Sequence, residues 1–101
     1  VSVAAVVPVK PLTGALGRLG RILEARERRA LQAAMLRDVL DACREAREIA
    51  TTFVVTSDAE AGEIARAHGA EVLADHHPPL GMNAAVEIGL ARAEVIGARA
   101  A

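Results

Sequence analysis

Residues 1–9 (VSVAAVVPV) form an almost unbroken apolar, β-branched run. Such a run fits a strand covered on both faces, as in a parallel sheet, and not one whose sides alternate between core and water. Pro8 falls near its end, where a missing ladder donor is tolerated. Residues 10–20 (KPLTGALGRLG) interrupt the pattern with three glycines and a proline and predict a loop. From about residue 24 to residue 47 the period becomes helical. Leu31, Met35, Val39, Leu40 and Cys43 are assigned to one apolar face, with Arg28, Arg37, Asp41, Arg44 and Glu48 mostly on the other. The run Arg26-Glu27-Arg28-Arg29 reads as a solvated helix face.

Residues 51–56 (TTFVVT) predict a second short strand. Ser57-Asp58-Ala59-Glu60 then reads as a helix start, with Ser57 or Asp58 as N-cap and Glu60 closing a capping box onto Ser57. That helix is expected to reach about His68, where Gly69 supplies a left-handed stop. Residues 71–74 (EVLA) predict a third strand. Residues 75–81 (DHHPPLG) predict a loop, because two prolines exclude a helix interior. Residues 82–96 regain helical periodicity, and Gly97 is the expected stop.

The order β-α-β-α-β-α predicts an α/β fold with a Rossmann-like parallel sheet, in which right-handed crossovers give the strand order 3-2-1. With 101 residues there is room for one domain and not two. A doubly wound sheet would place its next strand against the open edge of the first. Residues 1–101 are therefore expected to be the N-terminal half of a larger domain whose C-terminal half is absent, with self-association through the exposed edge.

Composition narrows the function. At 52% hydrophobic the chain is not a disordered tail, and a net charge of −1 gives no electrostatic footprint for nucleic acid. One Phe, with no Trp or Tyr, leaves no platform for stacking bases. Core volume must come from Val, Leu, Ile and Ala. The single cysteine, Cys43, fits a reducing cytoplasm and reads as a small buried hydrophobe. The first residues lack the charged start of a secretory signal, and no apolar run approaches the ~20 residues of a membrane span.

Ligands of open α/β sheets bind beyond the carboxyl ends of the strands. The first segment there contains neither G-x-x-x-x-G-K-[ST] nor G-x-G-x-x-G, but it sets Lys10 and Arg18 around Gly14 and Gly17. Glycines let backbone N–H groups approach a phosphate and the cations neutralise it. An ordinary loop with two solvated cations is the competing reading. Asp58 is either a helix cap or an acceptor for a base or ribose, and Asn83, at the start of the third helix, is either a cap or a ligand contact. His68, His76 and His77 do not match a zinc-ligand spacing.

The segments AVVPVKPLTGALGRL (5–19), ERRAL (27–31), AMLRDVL (34–40), VVTSD (54–58), GAEV (69–72) and NAA (83–85) together resemble the 2-phospho-L-lactate guanylyltransferase family. The resemblance implies a three-layer nucleotidyltransferase-like fold. It also implies an enzyme that uses GTP and Mg²⁺ to guanylylate 2-phospho-L-lactate, or phosphoenolpyruvate in actinobacteria, in the biosynthesis of the deazaflavin coenzyme F-420. By position it places Lys10, Gly14 and Arg18 in a triphosphate-binding loop and Thr56, Asp58 and Asn83 near the nucleoside. Leu16 stands where the family's opening motif usually has a second lysine. The resemblance puts the acidic metal-binding motif on the strand that would come next, so residues 1–101 alone are expected to be inactive. A related nucleotidyltransferase of molybdopterin or sugar type, and a non-catalytic α/β nucleotide- or partner-binding module, are the alternatives.

Overall fold

The computed structural model describes residues 3–10, 25–77 and 80–100. Strand β1 (Val3–Val9) pairs in parallel with β2 (Ile49–Thr56), and β2 pairs in parallel with β3 (Glu71–Ala74). The connections are helices α1 (Ala25–Glu45) and α2 (Ala59–Ala67). Helix α3 (Met82–Val95) then returns the chain to β4 (Arg99–Ala100), which pairs with Val3 and Ala4. The sheet order is β3-β2-β1-β4, so the expected 3-2-1 order holds and gains a neighbour. The first strand is thus not wholly unpaired, as the sequence suggested. Among the described residues its edge is open only from Ala5 onward.

Alternate residues of the strands divide between two cores. Val9 and Val54 face α1 and α2, where they meet Leu36, Leu40 and Ile64. Ala4 and Phe53 form the other core with Ala93 of α3. The near-continuous apolar strands follow from this two-sided burial, since neither face is left to water.

Helix α1 corrects the expected face. Its buried residues are Ala33, Leu36 and Leu40, whereas Leu31, Met35 and Val39 are 40%, 48% and 45% exposed. Apolar residues cover more than half of this helix, so size decides which stripe goes inward. Ala33 allows close approach to Ala61 and Ala65 of α2, and the larger Leu31–Met35–Val39 row is left outside. Cys43 is half-buried at the margin, not within the core.

Helix α3 approaches the sheet through Ala85, Gly89 and Ala93, all buried. A Cβ on Gly89 would stand 2.2 Å from Val6 Cγ1, so the helix sits directly on a β-branched side chain that has little freedom to turn away. Gly97, with φ 74°, follows α3 as expected, and Gly69, with φ 79°, follows α2.

Two outcomes follow from this packing. In urea unfolding, Leu36→Ala should cost ~2–5 kcal/mol as a core truncation, while Met35→Ala should stay within ~0.5 kcal/mol; comparable losses would restore the original face assignment. Gly89→Ala should destabilise by ~1–3 kcal/mol through overpacking, and adding Val6→Ala should recover part of that loss. A single Gly89→Ala variant as stable as the parent would show that the strand yields.

Candidate functional site

The parallel register brings the strand ends level. Val9 lies opposite Thr56, and Thr56 opposite Ala74. The Asp75 N–H donates to the Thr56 carbonyl at 3.2 Å, carrying the ladder one residue further. Lys10, Ser57 and Asp75 consequently leave the sheet at one height, on the edge where open α/β sheets receive ligands. Lys10 is exposed there. Gly14, Leu16 and Arg18 lie outside the described residues, as do Pro78 and Pro79 of the third loop.

The turn from β2 into α2 is held by its own side chains. Thr56 is buried, and its Oγ1 accepts a hydrogen bond from the Asp58 N–H at 3.1 Å. Asp58 has extended backbone (φ −90°, ψ 124°), and its Oδ1 accepts from the Ala61 N–H at 3.0 Å. Asp58 is therefore the N-cap, of the two residues the sequence offered. Ser57 does not cap. Its Oγ is buried and has no hydrogen-bond partner among the described residues.

Glu60 makes no capping box with Ser57. Its Oε2 instead accepts from Arg29 Nε, joining the first turn of α2 to the second turn of α1. Arg29 thus departs from the solvated run in which the sequence placed it. The hydrogen bond to Glu60 raises the guanidinium pKa above its ordinary value; desolvation opposes this, and the charges of Glu60 and Asp58 reinforce it. A sequence signal for this pairing exists. Arg29 continues the buried stripe Ala33–Leu36–Leu40 at helical spacing, so it points along the α2 side of α1.

A cleft of about 410 Å³ opens between this turn, α2 and β3. Gly62, Val72 and Ala74 line its apolar part, and Ser57, Asp58 and Arg66 bring polar groups to it. The arrangement sets the Asp58 and Glu63 carboxylates and the Arg66 guanidinium around a small apolar surface.

Of the two readings of Asn83, cap or ligand contact, the first does not hold. Gly81, with φ 102°, occupies the N-cap position of α3 without a side-chain hydrogen bond, and Asn83 lies exposed in the first turn. Topology sets that turn at the same sheet edge, but Asn83 does not line the cleft. His76 and His77 are exposed in the third loop. His68 is at the other end of α2, where its Nδ1–H donates to the Ile64 carbonyl at 2.9 Å and its Nε2 stands 3.5 Å from Asp41 Oδ1. Lys10, Thr56 and Asp58 are therefore brought to one edge by the strand ends; His76 and His77 follow Asp75 from that edge, and His68 lies apart from them at the other end of α2.

Comparison with known proteins adds the family. The model of the family described as "Guanylyl transferase CofC like" matches residues 3–97. A protein named phosphoenolpyruvate guanylyltransferase from Roseiflexus sp. (strain RS-1) is 46% identical over 76 residues, which are 75% of this chain and 34% of the relative. The matched chain spans about a third of that relative's length. Since the family match runs from the first described strand through the turn after α3, taking in the β2–α2 turn, this chain belongs to the guanylyl transferase family described as CofC like.

Proposed function

We propose that residues 1–101 are the N-terminal, nucleotide-binding half of a guanylyltransferase that transfers GMP from GTP to phosphoenolpyruvate or 2-phospho-L-lactate, a step towards coenzyme F-420. The observation that carries this reading is the 46% identity to a protein named phosphoenolpyruvate guanylyltransferase. The level strand ends, with Lys10, Thr56 and Asp58 on one edge, support it. A cytoplasmic setting goes with a GTP-dependent reaction.

In this reading Lys10, Gly14 and Arg18 belong to the triphosphate-binding segment, and the two cations offset the phosphate charge. Thr56, Asp58 and Asn83 stand near the nucleoside, with the Asp58 carboxylate as hydrogen-bond acceptor. A phosphate oxygen of the acceptor attacks the α-phosphorus of GTP, and the bond to the β-phosphate breaks to release pyrophosphate. The resemblance also implies Mg²⁺, with its ligands expected outside residues 1–101. Among the described residues no group of three or more His, Cys, Asp or Glu side chains is placed to hold a metal ion. The part assigned to these residues is binding and orientation.

The reading is tested on the full product of the gene, by pyrophosphate release from GTP with either acceptor. Calorimetry should show Arg18→Ala weakening GTP binding by ~1.5–3 kcal/mol, the range for a charged hydrogen bond; unchanged affinity would move the phosphate site elsewhere. Asp58→Asn separates the two roles of that residue, because Asn caps helices about as well as Asp. Thermal stability should then be retained while GTP affinity falls by ~1–3 kcal/mol. Equal affinity for both forms would leave Asp58 as a cap alone.

A further inference from the structure

The contact between α1 and α2 is apolar along most of its length, through Ala33, Leu36 and Leu40 against Ala61, Ile64 and Ala65. Polar pairs close it at both ends. His68 and Asp41 meet at the end away from the strand carboxyl termini, and Arg29 and Glu60 meet at the ligand-facing end. The second pair has an unusual position in the chain. Arg29 lies one turn into the helix that follows the glycine loop, and Glu60 lies two residues after Asp58, the cap of the turn read here as the nucleoside side of the site.

Electrostatics give the pair a second consequence. Asp58 and Glu60 set two carboxylates at the edge where a triphosphate would approach, and Arg29 is the cation hydrogen-bonded to Glu60 there. Glu60 takes no part in capping: with Asp58 as N-cap, the position whose side chain could reach back to the cap is Ala61 and not Glu60. Its side chain is left to the contact with Arg29.

We infer that Arg29 is a positioning residue for nucleotide binding: through Glu60 it fixes the β2–α2 turn against α1, and it adds positive charge beside the two carboxylates at the edge where a triphosphate would approach. The inference rests on the GTP reading above. It extends that reading to a residue that has no place in the loop or the turn.

The test compares the unaltered full gene product, Arg29→Gln, and the exchange Arg29→Glu with Glu60→Arg. Amide hydrogen exchange at residues 59–62 reads the tie, and calorimetry with GTP and GMP reads the site. Arg29→Gln should speed exchange at 59–62 by about two- to fivefold, the scale of a solvent-reached ion pair, and leave α3 unaltered. GTP affinity should fall by about as much, and GMP affinity by less because GMP carries less charge. The double exchange should recover both. Unaltered exchange, an equal loss for GTP and GMP, or a double exchange as weak as the single variant each overturns the inference. Absence of GTP binding by the unaltered protein overturns the site reading itself. If exchange then still responds to Arg29→Gln, the tie is structural and the positioning role falls.

Discussion

The hydrogen-bond ladder between β1 and β2 begins at Val3 opposite Ile49, shifts register once, and runs evenly from Ala4 opposite Thr51 to Val9 opposite Thr56, where β3 joins it with Thr56 opposite Ala74. Parallel pairing of this kind cannot be closed by a hairpin, so successive strands must be joined by crossovers, here helices. Right-handed crossovers put α1 and α2 on one face while the order β3-β2-β1 is laid down, and α3 returns on the other to reach β4. The same ladder leaves the three loops at one height. Proximity of Lys10 to the Thr56–Asp58 turn is therefore a product of strand register and needs no long-range side-chain contact.

Strength and direction come from different groups. Burial of Leu36, Leu40 and Ile64 supplies most of the attraction between α1, α2 and the sheet, at ~1.5–3 kcal/mol for each large side chain taken out of water. Polar pairs reached by solvent add far less. Their value lies in geometry: an apolar contact built largely on Ala and Leu tolerates sliding, whereas a guanidinium and a carboxylate must meet at one place. Arg29 with Glu60, and His68 with Asp41, define the two ends of that contact.

Much of this was legible in the sequence. Continuous β-branched runs, glycine stops at Gly69 and Gly97, and short connections are local signals, and β3 begins and ends where its pattern does. The errors fall where one residue has two permitted roles. Glu60 suits a capping box with Ser57 by spacing, yet Asp58 is the N-cap, which puts Glu60 out of phase with that box, and Glu60 turns to Arg29. Leu31, Met35 and Val39 form a stripe as regular as the buried one, and only the closeness allowed by Ala33 selects between them. Asn83 allowed both a cap and a ligand contact; the chain reaches α3 through Gly81 in a left-handed conformation, one residue before the first helical position, which removes the first role and leaves the second open. The Thr56 and Asp58 positions were readable because a strand end followed by a capping residue is itself a local pattern.

The meeting of Gly89 with Val6 has a bearing on how this sequence can change over time. The two positions are separated by most of the chain, yet they share one volume between helix and strand, with 2.2 Å between a would-be Cβ and an existing methyl. Drift at either site is constrained by the other: residue 89 can grow only after residue 6 has shrunk, and a smaller residue 6 leaves a gap that rewards growth at 89. Related sequences should therefore vary at this pair in a compensating manner, conserving the sum of the two side-chain sizes more closely than the identity of either residue.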